Sequence, residues 1–495
     1  MNFYIFRLSI FFLCLYGEMC FSQTIFSKVK YQLESGIYLS TSANTPFWLR
    51  SNHYGIVPLE SQFFTLRGAA HKEYDSTKNE QSKLKKFGYG YGASFAANVG
   101  KKSNLFLPEA YLKVRYGAFE VYGGRRREIF GLVDTTLTSG SYIWSGNALP
   151  VPKLQISVPN YTPIIGHGIV SLKGGYAHGW FGSQEDVKNY YLHQKWIYGR
   201  IGKPNWKIKF YSGFNHQVQW GGYPIKPYIE KKTGRLITNY GNDFKTYLNV
   251  ITGISLNTKG GLTLDGVPLN EAWNRSGNHL GTIDFASEIN FKNFNVFIYR
   301  QSIYEDGSLF YLNNISDGLF GFSLTRKNIQ RGIIKICFEY LNTKGQGGNR
   351  YIDDIPQLRG IDNYFNNGIY TNAWTNEKNV LGTPLMIPLD QINNGLISKY
   401  IFSDIPDSYI INNRIQGYNI SISGRVQKLN FTTKVLWSHN LGIYGTPFSA
   451  NQFSFLQQIN YQLPKYTLVS SLSVDKGDLY ANNLGCYFGI RRTLF

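Results

Sequence analysis

The sequence predicts an all-β chain folded as a transmembrane antiparallel β-barrel, and three observations carry that prediction. First, period-two alternation recurs over long stretches. In "NWKIKFYSGFNHQVQW" (205–220), Trp206, Ile208, Phe210, Phe214, Val218 and Trp220 share one parity, and Asn205, Lys207, Lys209, Asn215, Gln217 and Gln219 the other. Second, many such segments run about ten residues or more, the length a tilted strand needs to cross hydrocarbon; strands of soluble sheets average about 5–6. Third, the 495 residues include 37 Tyr, 34 Phe and 51 Gly, a composition suited to strands and tight turns.

The elements follow in chain order. Residues 1–22 read as a signal peptide: Arg7, an apolar run from Leu8 to Tyr16, then Cys20 and Ser22 at the small positions before cleavage at Gln23. The run is too short to span a bilayer as a helix. After cleavage Cys337 and Cys486 remain, read as unpaired thiols at packed positions, so no disulfide framework is indicated. Residues 23–60 form an N-terminal helical or plug segment. Within it "STSANTPFWLRSNHYGI" (40–56) predicts a short helix capped by Thr45, entered at Pro46 and stopped at Gly55, packed at the periplasmic mouth.

Residues 61–495 supply the barrel. "EAYLKVRYGAFEVYGGRR", "IIKICFEY", "YNISISGRVQ", "KLNFTTKVLWSHN" and "FSFLQQINYQL" all alternate, and Pro464–Lys465 joins the last of these to "YTLVSSLSV" as a hairpin. About seventeen strand-like segments can be counted; bacterial barrels usually have an even number, so sixteen or eighteen is expected. Residues 241–254 predict a helix inside a loop, and the Asn-, Gly-, Tyr- and Pro-rich stretch 341–412 predicts long external loops. The ending "YFGIRRTLF" suits recognition by the barrel-assembly machinery, with Phe495 last. Export together with these strands places the chain in the outer membrane of a Gram-negative bacterium, in contact with outer-membrane lipid.

Parity also sorts the charges. Lys113, Arg115, Arg126, Lys207, Lys209, Lys335, Arg425 and Lys434 fall on polar, lumen-facing positions, with fewer acids among them: Glu109, Asp284, Glu288 and Glu339. The net charge is +20, so the bore should concentrate anions, with Arg able to hold carboxylates or phosphates bidentately. The plain alternative is that these are ordinary lumen residues paired across strands. Trp180, Trp220 and Trp437 suit an interfacial girdle, whereas Trp144, in "SYIWSGNALP", and Trp374, in "YTNAWTNEKN", are candidates for stacking on sugar rings. His178, in "AHGWFG", suits a structural hydrogen-bonding role. No HExxH, P-loop or CxxC occurs, none of the eight His lies in a nucleophile motif, and nothing supports nucleic-acid binding. Adjacent Asp353 and Asp354 are too weak a signal for a metal site, so no cofactor, metal or catalytic residue is expected.

Four ordered stretches resemble the Wzi family of outer-membrane capsule-assembly proteins in its Bacteroidetes-type form: "TPFWLRSNHYGIVPLE" (45–60), "EVYGGRRREIFG" (120–131), "LTSGSYIWSGNALPVPKLQI" (137–156) and "GGYAHGWFG" (174–182). The "SGNALPVPK" run is the most specific. The resemblance covers most of the mature chain and is strongest before residue 225. It implies an eighteen-stranded barrel with N-terminal helices near the periplasmic end, a lectin-like role in holding capsular polysaccharide at the surface, and no catalytic activity. Combined with the basic bore, it points to an acidic glycan, with Lys113, Arg115, Arg126, Trp144 and Trp374 as candidate contacts, on a chain working as a monomer. The competing readings are a diffusion porin for small anionic solutes and an outer-membrane hydrolase. A porin keeps an open channel; a hydrolase needs a convergent Ser–His or carboxylate pair.

Overall fold

Val29 pairs with Lys72 of the second wall strand and Tyr31 with Leu494 of the last, so the first strand is bonded on both sides and the sheet closes. The computed structural model describes residues 29–74, 86–184, 186–253, 266–269, 271, 275–305, 307–352, 355, 360–400 and 408–494. The expected leader, the Asp353–Asp354 pair and Phe495 lie outside the described residues.

Eighteen strands form the wall. The first six are β1 (Val29–Ser40), β2 (Phe63–Lys72), β3 (Phe87–Gly100), β4 (Asn104–Tyr116), β5 (Phe119–Arg125) and β6 (Lys153–Ile165). Next come β7 (Val170–Gly182), β8 (Tyr190–Ile201), β9 (Ile208–Trp220), β10 (Asn278–Asn290), β11 (Phe294–Tyr304) and β12 (Gly318–Arg326). The circuit ends with β13 (Gly332–Asn342), β14 (Ile415–Val426), β15 (Leu429–Gly442), β16 (Pro447–Gln462), β17 (Thr467–Gly477) and β18 (Asn483–Leu494). Each pairs antiparallel with its neighbour in sequence, so no unpaired edge meets hydrocarbon. Among the described residues three α-helices accompany the wall: α1 (Phe47–Arg50), α2 (Phe244–Thr252) and α3 (Asn394–Tyr400).

The alternation read from the sequence is the lining of this wall. In β4, Leu112 and Val114 are 71% and 45% exposed on the outside, while Lys113 between them is 3% exposed and faces the bore. The opposite set, Leu105 and Leu107, faces outward earlier in the same strand, because a register shift opposite Ser94 and Ala96 adds a residue at Pro108.

The two ends of the barrel differ. Where β1 begins and β18 finishes, the connections include the pairs 117–118 and 427–428, the triplet 291–293 and the four-residue turns 166–169 and 463–466. At the other end lie residues 41–62, 126–152, 221–277 and 343–414. Short turns mark the periplasmic side of outer-membrane barrels and long loops the outside.

This topology corrects several expectations. Residues 29–40 belong to the wall, so the inserted N-terminal segment is 41–62, and it enters from the long-loop end rather than the periplasmic mouth. Its helix is only α1, because Thr45 is held in a bridge to Leu59 and Glu60 and Pro46 takes the N-cap position. The 205–220 strand starts at Ile208, leaving Lys207 in a turn instead of the bore, and Arg425 is exposed at a strand end. Trp220 is 5% exposed and stacks on Tyr247 of α2, so it is no girdle residue, whereas Trp180 and Trp437 are 46% and 42% exposed on the outer face. The stretch expected to form external loops is largely interior: Tyr364, Phe365, Trp374 and Ile387 have 0% exposure.

The loop helix expected over 241–254 is α2. Asp243 caps it through the Thr246 N–H, and Gly253 ends it at φ 63°. It lies over the outer face of the wall, where Tyr247 meets Tyr176, His178, His193 and Trp220. His178 also packs on Trp180, a ring-packing rather than a hydrogen-bonding contact. Cys337 and Cys486 are both free.

Candidate functional site

β5 is a wall strand of only seven residues, and after it the chain turns into the bore. Residues 126–152 cross to the far wall and are tied there by polar contacts. The Leu132 N–H donates to Asp284 Oδ2 (2.8 Å), the Asp134 carboxylate pairs with Lys335 (3.0 Å), and the Tyr142 N–H donates to Gln301 Oε1 (2.9 Å). Glu339 accepts from Thr138 Oγ1 (2.6 Å) and the Ser139 N–H (2.5 Å), while Lys434 Nζ donates to the Thr138 carbonyl (3.0 Å). The basic residues expected in the bore are therefore partly consumed in holding a plug. Hydrogen bonds from Asp134's neighbours and the Lys335 ammonium keep the Asp134 carboxyl below its usual range despite burial.

The "SGNALP" run is the keystone of this plug. Gly146 has φ 81°, and a Cβ there would lie 2.8 Å from the Tyr54 ring. Ser145 Oγ donates to the Gly382 carbonyl (2.5 Å) and Asn147 Nδ2 to the Val380 carbonyl (3.0 Å), which locks residues 374–388 over the top. From the third side, Asn52 Nδ2 donates to the Ser139 carbonyl (2.9 Å) and the Asn52 N–H to Asn147 Oδ1 (3.1 Å). Trp48 of α1 donates to the Ser454 carbonyl (3.3 Å) and receives the Lys434 ammonium over its ring at 4.7 Å.

The sequence candidates fall into two groups. Lys113, Arg115 and Arg126 do share one patch of inner wall, towards the short-turn half. Carboxylates answer it: Lys113 pairs with Glu73 (2.5 Å) and Arg126 with Glu120 (2.5 Å), while Arg115 lies over the Tyr74 ring at 4.6 Å and Tyr74 donates to Glu120 (2.6 Å). Arg127 and His71 bracket Glu109, and Lys153 pairs with Glu128 (2.8 Å). Trp144 and Trp374 differ from this patch in role, although Trp144 meets it through Lys153. They are 4% and 0% exposed, Trp144 against Phe130 and the Lys153 ammonium, and Trp374 against Phe181. No face of either ring is open to a sugar.

Two cavities beside the plug are lined by described residues. One of about 280 Å3 lies within the bore, lined by Glu34, Arg67, His71, Arg127 and Arg491 with Gln458 and Ser471. Two of its cations share one carboxylate, since Glu34 pairs with both Arg67 (3.2 Å) and Arg491 (2.5 Å). The other, about 370 Å3, is a cleft at the long-loop end between residues 42–50, 390–394 and 475–483. Asn44, Asn393, Asn394 and Asn483 supply amides, Asp390 and Asp475 carboxylates, Arg50 a guanidinium and Tyr480 a ring. Tyr480 stacks on Phe47 at 5.8 Å and 22°, and Arg50 lies 5.8 Å above it. Burial raises the Asp390 carboxyl above its ordinary range, with Arg50 opposing the shift. Amides, carboxylates and a guanidinium around one cleft suit a polyhydroxylated ligand. Sequence reading missed this cleft because its walls come from three distant connections, none with periodicity.

A hydrolytic arrangement finds little footing. His439 Nε2 lies 3.2 Å from Ser449 Oγ at the long-loop end. Among the described residues no carboxylate bonds the other His439 nitrogen, the contact that would orient it as a base. No cluster of three or more metal-ligating side chains occurs among the described residues.

The sequence profile of the capsule assembly protein Wzi matches residues 42–386. Among solved structures, Escherichia coli Wzi, an outer-membrane carbohydrate-binding β-barrel involved in group 1 capsule assembly, superposes with a TM-score of 0.55 at 13% identity, over 94% of this chain and 85% of its own. Acinetobacter baumannii OccAB4 gives 0.46 at 9% identity (94% and 97% covered), and Pseudomonas aeruginosa OpdQ gives 0.45 at 8% (94% and 98%). No curated protein sequence matches the chain.

Proposed function

Since the chain belongs to the Wzi capsule-assembly family and is an outer-membrane β-barrel of a Gram-negative bacterium, we propose that it holds capsular polysaccharide at the cell surface as a lectin rather than passing solutes. The observation that carries this reading is the filled bore. Three inserted segments meet at Ser139, Asn147 and Gly382, where a diffusion channel would need open space. What remains open towards the outside is the amide-lined cleft at Arg50, Asp390 and Tyr480. That cleft, rather than Trp144 or Trp374, offers the polar groups a glycan would bond.

The finer parts of the proposal rest on narrower support. An acidic glycan is favoured by the net charge of +20 more than by the Lys113–Arg126 patch, where Lys113 and Arg126 are already paired with Glu73 and Glu120. The chain acts without catalysis and as a monomer, its closed sheet leaving no edge for a second copy to extend. Its leader is removed on export, and the barrel-assembly machinery inserts it through a last strand whose Phe488, Ile490 and Leu494 face outward. The test is binding of purified capsule from the source strain to the detergent-solubilised barrel. Arg50→Gln with Asp390→Asn should weaken it at least tenfold, as expected for loss of two charge-assisted hydrogen bonds. Unchanged binding in that double variant would remove the cleft from the proposal.

A further inference from the structure

The outside of the wall is not uniformly convex. Across β8, β9, β10 and β11 it carries an apolar groove of about 480 Å3. Register produces it. Gly199 pairs with Ser212 and Ser212 with Phe285; one step nearer the short-turn end, Ile201 pairs with Phe210 and Phe210 with Ser287. The small residues Gly199, Ser212 and Ser287 thus run diagonally between large ones, and Ile201, Phe210 and Phe285 stand 56%, 55% and 54% exposed as its banks.

What lies below the groove is as distinctive. The turns beneath these strands read "GKPNWK" (202–207), "FKN" (291–293) and "KNIQR" (327–331), with five cations and no carboxylate. Trp206 is 43% exposed among them, and Phe291 stacks on Phe294 at 4.5 Å, an aromatic rim at headgroup depth. Ser212 is four residues above Ile208, about 13 Å along the strand at ~3.3 Å per residue. Groove and basic turns are therefore one lipid's length apart, at the end of the barrel that faces the periplasm.

We infer that this sector binds one anionic glycerophospholipid of the periplasmic leaflet, an acyl chain lying in the Gly199–Ser212–Ser287 groove and the phosphate held by the basic turns. The occupant follows from position and charge. The groove is continuous with the lipid-facing wall, so an acyl chain fills it, and three turns without a carboxylate select a negative headgroup. A lipid whose phosphates sit at the outer surface would meet the groove from the wrong end, and a second copy of this chain would bring like-charged turns together.

The experiment is native mass spectrometry of the full-length barrel in detergent, titrated separately with phosphatidylglycerol, phosphatidylethanolamine and lipid A. One phosphatidylglycerol adduct should be retained in preference to the other two. Replacing Lys203, Lys207 and Lys292 with Gln should weaken it by about fivefold per lysine removed. Ser212→Phe, which fills the groove from outside, should weaken it by on the order of tenfold or more. Heat-modifiable migration confirms folding of each variant, and Ser287→Leu reads the same groove should Ser212→Phe fail that check. Equal retention of phosphatidylglycerol and phosphatidylethanolamine, insensitivity to both sets of variants, tighter binding of lipid A, or a dimer in place of the adduct would each overturn the assignment.

Discussion

The backbone N–H of Ser139 donates to the carboxylate of Glu339 at 2.5 Å across 200 residues of chain. That bond ties the most family-specific stretch of the sequence to the opposite wall. Glu339 also accepts from Thr138 and Tyr299 at 2.6 Å each, so one carboxylate anchors the plug and a wall tyrosine together. Asn419 Nδ2 donates to it as well, at 3.4 Å, so its loss takes the acceptor from four donors.

Glu339→Ala should therefore destabilise the barrel by several kcal/mol, at about 1–3 kcal/mol for each buried donor left without a partner. It should also loosen the plug. Planar-bilayer recordings should show the parent nearly silent and the variant with frequent openings. A silent variant of unchanged thermal stability would mean that the plug is held elsewhere.

Neutralising Lys113, Arg115 and Arg126 together is expected to cost stability and leave glycan binding alone. Their cations are matched by Glu73 and Glu120 or stacked on Tyr74, so removing them strands the buried Glu120 carboxylate. Titrating capsule binding against salt checks this: parent and variant should share one salt slope, whereas a shallower slope in the variant would restore a direct electrostatic role.

A pH dependence is built into the 221–277 connection. Glu271 is buried there, accepts from the Gly277 N–H at 2.5 Å, and burial lifts its carboxyl from 4.5 to about 7. The folded connection thus holds a proton that the unfolded one releases. Its stability is fully present below about pH 4.5 and is lost as pH rises through about 7, by up to ~3 kcal/mol. Limited proteolysis within 221–277 should accelerate from pH 5 to pH 8 in the parent, and Glu271→Gln should flatten that profile.

Asp243→Ala removes the cap that accepts from Thr246 (2.7 Å) and should cost α2 about 1 kcal/mol. Hydrogen exchange should rise in α2 and leave the strands beneath unchanged; faster exchange throughout β9 would show that the helix supports the wall itself.

The wall was legible because hydrocarbon imposes a rule on every second residue, and that rule is visible wherever one strand face meets lipid. It fails where lipid is displaced. Trp220 keeps the outward parity of Phe210 and Phe214, yet α2 covers it, and no local pattern announces that a loop will fold back over the wall. The plug was legible as a motif but not as a place. "SGNALP" carries turn chemistry, whereas its depth in the bore is set by Glu339 and Gly382, hundreds of residues on. Thr45 looked like a cap because Ser and Thr before Pro often are; its bridge to Leu59 and Glu60 claims it first. The matching of Lys113 by Glu73 was hidden because that acid lies just past the end of β2, outside any strand whose parity could be followed.

The segment that follows β1 has a mechanical consequence. In a cylinder of strands the junction of the first and last staves is the one that no turn bridges. Here the Phe47 N–H donates to Asp475 of β17 (2.8 Å), Trp48 grips the Ser454 carbonyl of β16, and Ser40 Oγ donates to Asn483 of β18 (2.6 Å). The chain leaves β1, reaches past β18 and fastens itself two and three staves beyond. Residues 41–50 therefore act as a hoop across the seam, and prising β1 from β18 would have to break the hoop as well as the ladder.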